Sequence, residues 1–279
     1  MKKIHLLPNI ITAFSLTCGL FVIFKMNMLP PGDVDVNILL AAAGIIILAA
    51  FADLLDGAIA RAMKAESQFG GLFDSMADAI SFGVAPSVIV LKSLSISPGT
   101  EASFLMMMAA MIYSVCGVLR LIRFTVKNQE SKTAEDLLAP VKTNFTGLPS
   151  PAAAGAVVSM TLFLFSSELH SIFVVTETQR MWTMFFTLLL IGYFMISQWR
   201  FPSLKALRIR VASFKVVFLT VLAAVVIFFG ILHHFPVVFF VISWSYLVVS
   251  FVLSLIRITT GKKSKTLEDF EPTPEEEEE

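Results

Sequence analysis

Residues 38–78 read ILLAAAGIIILAAFADLLDGAIARAMKAESQFGGLFDSMAD, an apolar run followed by a segment that holds four aspartates, Asp53, Asp56, Asp74 and Asp78. The apolar part is long enough for a membrane-spanning helix, which needs about 20 apolar residues. A charged side chain at the centre of a bilayer costs roughly 2.5–3.5 kcal/mol, so four carboxylates there would cost on the order of 10–14 kcal/mol. We therefore expect a water-filled cavity, a helix end or bound cations to offset this cost.

The composition of the whole chain is that of an integral membrane protein. Of 279 residues, 56% are hydrophobic and 15% are charged, and the mean hydropathy is +0.81. Soluble domains are about 25% charged. The apolar runs are continuous rather than alternating, which favours an all-α bundle over a β-barrel. Eight transmembrane helices are predicted, at residues 9–28, 38–62, 72–92, 103–124, 150–167, 181–198, 212–232 and 236–256.

The distribution of Lys and Arg predicts the orientation of these helices, since cytoplasmic loops are enriched in both residues. Positive charge is concentrated at the N-terminus, in every second connection and after the last helix, whereas the third and fifth connections carry only Lys92 and Arg180. The fourth connection carries five Lys or Arg residues between 120 and 142, whereas the first, PPGDVDVN, carries none. We expect both termini to face the cytoplasm from the cytoplasmic (inner) membrane. The aspartates, which flank Arg61 and Lys64, then lie at the cytoplasmic face.

The four aspartates are spaced so that they can share one pocket. Asp53 and Asp56 are three residues apart on one predicted helix, and Asp74 and Asp78 are four apart on the next, spacings that place each pair on one helical face. The glycine pair at 70–71 is expected to turn the chain between the two helices. Two antiparallel helices would bring all four carboxylates together near one membrane surface.

Neighbouring carboxylates repel one another, and hard divalent cations relieve that repulsion. No His or Cys lies near the cluster, and ligand sets made only of oxygen suit Mg²⁺, Mn²⁺ or Ca²⁺ rather than zinc. Two cations about 3.5–4 Å apart stabilise the attacking and leaving oxygens of phosphoryl transfer. Gly57 would let a ligand approach the backbone closely, and Arg61 could bind phosphate through two hydrogen bonds.

A cation transporter is a second interpretation of the same residues, because paired carboxylates within a membrane can relay Na⁺ or protons. Gly57, Arg61 and the glycine pair favour phosphoryl chemistry instead. The cluster is also predicted at one face of the membrane rather than at the midplane, where transporter sites lie. Helix capping would explain one or two of the aspartates but not four.

The spacing of these residues resembles the signature of the CDP-alcohol phosphotransferase family. The matching positions are Asp53, Asp56, Gly57, Ala60, Arg61, Gly70, Asp74 and Asp78. The resemblance implies transfer of a phosphate-linked alcohol group from a CDP-linked donor to the hydroxyl of an acceptor, with release of CMP. Eight positions at the expected spacing make the match highly specific.

The resemblance also implies roles for individual residues. Asp53, Asp56 and Asp74 would hold Mg²⁺ or Mn²⁺, as two ions, with Asp78 near the second ion. Asp78 would act as the general base that takes the proton of the acceptor hydroxyl. The CDP-lipid pocket would be lined by Asn9, Thr12, Asp53, Gly57, Ala60, Arg61, Ser67 and Gly70. Asn9 could equally cap a helix.

Four further strings resemble the serine-using branch of the family. They are AISFGVAPS (79–87), LRLIRFT (119–125), NFTGLPSPAAAG (144–155) and MISQWRFPSLK (195–205). They imply CDP-diacylglycerol as the donor and L-serine as the acceptor, while the sister acceptors glycerol 3-phosphate and inositol phosphate remain open. Residues suited to bind the carboxylate or phosphate of the acceptor are Arg120, Arg123, Lys142 and Asn144.

The resemblance divides the chain into three parts. Residues 1–205 form a catalytic membrane core of six helices, and residues 206–260 add two helices that are a candidate homodimer interface. Residues 261–279 form an acidic tail that is predicted to be disordered. We expect membrane lipid as a partner and no nucleic acid.

Overall fold

The computed structural model describes residues 6–30, 32–63, 67–135, 147–197 and 229–260. Within these ranges all regular secondary structure is helical, as predicted. The elements are α1 (Leu6–Asn27), α2 (Val36–Ala62), α3 (Gln68–Asp78), a π-helical stretch called the π segment (Ala79–Val84), α4 (Ala85–Ser93), α5 (Glu101–Glu135), α6 (Ser150–Phe165), α7 (Ser167–Ile172), α8 (Glu177–Ile196) and α9 (Phe235–Thr260).

Six spans in the described part of the chain are long and apolar enough to cross a membrane, and α6 is a shorter apolar helix. The spans are Leu7–Asn27, Val36–Ala62, Phe69–Ser93, Glu101–Val126, Glu177–Ile196 and Phe235–Leu255. The protein is therefore an integral membrane protein. The predicted helix at 212–232 lies largely outside the described residues, so the total of eight helices and the position of the termini stay predictions.

Helix α2 carries the first two aspartates at its far end. It has 27 residues, and a helix of that length extends about 40 Å, more than the roughly 30 Å of a bilayer's hydrocarbon core. Asp53 and Asp56 lie in its second half, followed by Arg61 in its last turn. The extra length lets this polar end reach the membrane surface while the apolar residues before it span the bilayer.

Gly70 and Gly71 do not turn the chain, and that expectation was wrong. Both lie inside α3, which begins at Gln68. Ser67 starts the helix earlier than expected, because its hydroxyl accepts a hydrogen bond from the Gly70 N–H at 3.0 Å and so caps α3. The glycines with positive φ among the described residues are Gly32, Gly99 and Gly147.

The predicted helix at 72–92 is one span with a π-helical middle. The sequence explains the π-helical geometry, because Pro86 has no N–H and cannot donate to the Phe82 carbonyl four residues earlier. The Ala85 N–H bonds instead to the Ile80 carbonyl, five residues back. The π segment thus separates α3, which holds Asp74 and Asp78, from α4.

The helices divide into two compact units. In the first, α1 packs against α2, α3, the π segment and α4, and α5 packs against the π segment and α8. Small residues permit these close contacts: a Cβ on Gly19 would lie 2.7 Å from the Ser81 Cα. The described part of the second unit consists of Gly147 and residues 229–260, which include α9. The predicted division at residues 205 and 260 stays a prediction.

Candidate active site

The structure brings three of the four aspartates into one group. One carboxylate oxygen from each of Asp53, Asp56 and Asp74 lies within 4.8 Å of the others. Two of these residues come from the end of α2 and the third from α3. Asp56 is buried, at 2% exposure, and the other two are half-buried. We call this group the aspartate triad.

Asp78 lies beside the triad. It is the last residue of α3, four residues after Asp74, and it is half-buried. The negative charges of Asp53 and Asp74 act on it, as does the positive charge of Arg120. Asp78 is therefore not one of the three carboxylates that converge within 4.8 Å, although its side chain contacts that of Asp53.

The triad fits a hard divalent cation. Asp74 Oδ1 is buried and has no hydrogen-bond partner among the residues that the structure describes, and leaving a buried acceptor unsatisfied costs about 1–3 kcal/mol. Three carboxylates at this separation also repel one another. A divalent cation would satisfy the orphan oxygen and remove the repulsion. The oxygen-only ligand set suits Mg²⁺ or Mn²⁺.

A residue of α1 forms a hydrogen bond with one member of the triad. Thr12 Oγ1 donates to Asp56 Oδ2 at 2.6 Å and lies 3.1 Å from the Pro8 carbonyl. Thr12 is buried, at 4% exposure. Thr12 is also one of the predicted residues of the CDP-lipid pocket, and that role stays a prediction. Its observed contact instead orients the Asp56 carboxylate.

We expect Thr12→Val to weaken Mn²⁺ binding by about 10-fold or more, the usual effect of losing a group that orients a metal ligand. The substitution keeps the shape of the side chain but removes the donor to Asp56. Titration of purified protein with Mn²⁺, followed by electron paramagnetic resonance, measures the change. Thr17→Val is the matched control, because the exposed Thr17 hydroxyl bonds only to the Ala13 carbonyl of its own helix. Equal Mn²⁺ affinity in both variants would contradict the role.

Three predicted nucleotide-binding residues meet at the start of α3. A Cβ on Gly70 would lie 3.0 Å from Ser67 Oγ and 3.1 Å from Asn9 Oδ1. The side chains of Asn9 and Ser67 therefore both approach the Gly70 backbone, from α1 and from the N-cap of α3. Glycine at this position leaves the space that the two polar groups occupy.

The remaining signature residues lie at the end of α2. A Cβ on Gly57 would be 3.4 Å from Arg61 Nη1, so the guanidinium of Arg61 folds back over Gly57. The positive charge of Arg61 acts on Asp56. Arg61 is exposed and Ala60 is half-buried. This cation therefore stands next to the triad and is accessible to a ligand.

Arg120 reaches the acidic group from α5. Its Nη1 donates to Ser150 Oγ at 2.5 Å, and its charge acts on Asp53 and Asp78. Ser150, the first residue of α6, is not among the site residues predicted from the sequence. The available signal was a serine between two prolines at the start of an apolar run. Ser150 orients the arginine that partly balances the aspartates.

Of the other predicted acceptor residues, only Arg123 is among the described residues. Arg123 is exposed, and its Nη1 donates to the Ile196 carbonyl at 3.2 Å. This contact satisfies a carbonyl at the C-terminal end of α8. Lys142 and Asn144 lie outside the described residues. The acceptor role of all three stays a prediction.

The chain is similar in sequence to known phospholipid-synthesising enzymes. The profile of the family described as CDP-alcohol phosphatidyltransferase matches residues 5–190, which include all four aspartates. A CDP-diacylglycerol–serine O-phosphatidyltransferase of Helicobacter pylori is 28% identical over 91% of this chain and 97% of its own length. The Mycobacterium leprae enzyme of the same name is 36% identical over 57% of this chain and 47% of its own. An archaetidylserine synthase of Methanothermobacter thermautotrophicus is 32% identical over 60% of this chain and 63% of its own length.

Proposed function

We propose, because the chain belongs to the CDP-alcohol phosphatidyltransferase family, that it transfers the phosphatidyl group of CDP-diacylglycerol to L-serine and releases CMP. The observation that carries the proposal is the aspartate triad with Asp78 beside it, at the spacing of the family signature. The similarity to the Helicobacter pylori serine enzyme extends over nearly the whole of both chains. It supports serine as the acceptor.

Asp53, Asp56 and Asp74 would hold the divalent metal that the family requires. We propose two ions, Mg²⁺ or Mn²⁺, with Asp78 close to the second. When bound, the ions would neutralise the diphosphate of the donor and stabilise the charge that develops on the transferred phosphate. Arg61, exposed beside Gly57, would bind a phosphate oxygen pair of the donor.

Asp78 would act as the general base. The serine hydroxyl gives its proton to the Asp78 carboxylate as its oxygen bonds to the phosphorus of the phosphatidyl group. The bond between that phosphorus and the CMP oxygen breaks in the same step. Arg120, whose charge acts on Asp78, is suited to bind the serine carboxylate or to keep Asp78 ionised.

The acyl chains and the polar head group of the donor would lie on opposite sides of the membrane surface. The acyl chains stay in the bilayer, while the diphosphate reaches the triad at the polar end of α2. Asn9, Ser67 and Gly70, which lie together, would contact the cytidine nucleotide. We propose that this face is the cytoplasmic side of the inner membrane, where the alternation of Lys and Arg places it.

Purified protein supplied with CDP-diacylglycerol and Mn²⁺ or Mg²⁺ should release CMP rapidly with L-serine and only slowly with glycerol 3-phosphate or inositol phosphate. The physical reason is that a site built for a zwitterion does not neutralise the additional charge of a phosphorylated acceptor. Measurement of CMP and of the labelled lipid product tests this. Preference for a phosphorylated acceptor would assign the chain to a sister branch. Cation flux in proteoliposomes without CMP release would favour the transporter.

A further inference from the structure

We propose that Tyr113 is a positioning residue whose hydroxyl holds the π segment in shape and thereby directs Asp78 toward the aspartate triad. Tyr113 lies on α5 and touches none of the aspartates in any contact that the structure records. Within the described part of the chain, its hydroxyl donates one hydrogen bond, to the Phe82 carbonyl at 2.8 Å. The chemistry assigned to Asp78 rests on the proposed function, whereas the structural part of the inference does not.

The Phe82 carbonyl needs a donor because of the sequence that follows it. The α-helical partner of this carbonyl would be the N–H of residue 86, which is a proline. Phe82 and Tyr113 are both 0% exposed, so bulk water does not reach the bond. Buried backbone carbonyls in folded proteins almost always have a partner. The Tyr113 hydroxyl is that partner here.

The next carbonyl of the π segment also receives donors from side chains. Ser114 Oγ donates to the Gly83 carbonyl at 3.0 Å, and Ser87 Oγ approaches the same oxygen at 3.1 Å. Ser114 is the neighbour of Tyr113 on α5. Two consecutive residues of one helix therefore bind two consecutive carbonyls of the π segment.

Close packing on both sides keeps the π segment in place. A Cβ on Gly117 would lie 3.4 Å from the Gly83 Cα, so glycines at these two positions let α5 approach the π segment closely enough for Tyr113 to reach it. On the opposite side, Ser81 Oγ donates to the Ser15 carbonyl of α1 at 3.1 Å. The π segment is thus bonded to α1 and α5 at once.

Asp78 is the residue directly before the π segment. A π-helix has more residues per turn than an α-helix, so the length and shape of this segment set the rotation of α3 relative to α4. Short π-helical stretches occur frequently at functional sites. A misplacement of about 1 Å at a reacting group can lower a rate by about 10²-fold. A relaxed π segment would produce such a shift at Asp78.

Tyr113→Phe removes the hydroxyl and keeps the ring. We expect kcat for CMP release to fall about 10²-fold, with little change in KM for CDP-diacylglycerol or serine. Mn²⁺ affinity should be affected much less than kcat, because Asp53 and Asp56 lie on α2 and Asp74 lies one helical turn further from the π segment than Asp78. Hydrogen–deuterium exchange of residues 79–90, measured without metal or substrate, should become faster. Tyr193→Phe is the control, since Tyr193 is exposed on α8, and it should change neither measurement.

A second substitution separates positioning from mere stabilisation. Pro86→Ala in the Tyr113→Phe background restores an N–H that can bond to the Phe82 carbonyl in α-helical geometry. We expect thermal stability to recover while kcat stays low, because an α-helical segment turns Asp78 away. Recovery of both would show that Tyr113 only satisfies a buried carbonyl and would overturn the proposal. Unchanged exchange at 79–90, or unchanged kcat despite faster exchange, would overturn it as well.

Ser114→Ala provides a milder variant if Tyr113→Phe does not fold. It should accelerate exchange at 79–90 and lower kcat, each by less than Tyr113→Phe does. An unaltered exchange rate would count against the proposal. If the unmodified protein shows no serine-dependent release of CMP, the proposed function fails. The exchange and stability measurements then still decide whether Tyr113 holds the π segment.

Discussion

Asp53→Asn, Asp56→Asn and Asp74→Asn should each abolish metal-dependent CMP release, lowering turnover on the order of 10³-fold or more. Each substitution replaces a charged ligand with a neutral amide in a group whose carboxylate oxygens lie within 4.8 Å of one another. Stabilisation of charge in phosphoryl transfer is worth roughly 10³–10⁵ in rate. Loss of any one ligand should therefore have nearly the full effect.

The assay is CMP release from CDP-diacylglycerol in detergent, with a parallel Mn²⁺ titration. Asp33→Asn is the matched control, because Asp33 is exposed in the connection before α2. Asp74→Asn should leave the metal-free protein at least as stable as the unmodified one, because it removes one of several neighbouring negative charges. Full activity in all three variants, or activity that survives EDTA, would rule out the metal site.

Asp78→Asn should lower turnover by about 10²–10⁴-fold, the usual contribution of a positioned general base, while binding of Mn²⁺ and CDP-diacylglycerol is largely kept. Asp78 lies beside the triad rather than among the three carboxylates that converge. Its amide cannot take the proton of the serine hydroxyl, but the three carboxylates that would hold the metal are unchanged.

Calorimetric titration of Asp78→Asn with Mn²⁺ and then with CDP-diacylglycerol distinguishes the two roles of this residue. Asp74→Asn serves as the comparison, since it should lose Mn²⁺ affinity and turnover together. If Asp78→Asn loses affinity for both ligands in the same way, Asp78 is chiefly a metal ligand and has no separate role as a base.

Several features of the protein could be predicted from the sequence because they depend on local regularities. The membrane spans follow from runs of about 20 apolar residues, and seven of the eight predicted helices overlap described helices. The pairing of Asp53 with Asp56, and of Asp74 with Asp78, follows from helical spacing. The turn expected at 70–71 failed because the Ser67 cap extends α3 over both glycines. Local propensity gave the wrong result where a capping hydrogen bond was available.

The contacts that orient the candidate site were decided by tertiary structure. Thr12 donates to Asp56, 44 residues away, and Arg120 to Ser150, 30 residues away. The Tyr113 hydroxyl reaches the Phe82 carbonyl across 31 residues. Because residue 86 is a proline, the sequence predicts that the Phe82 carbonyl lacks its usual backbone donor. No local rule predicts which side chain donates to this carbonyl instead. That choice depends on how closely α1, α5 and α6 pack around α2 and the π segment, and the direction and reach of side-chain donors exist only once those helices are in place.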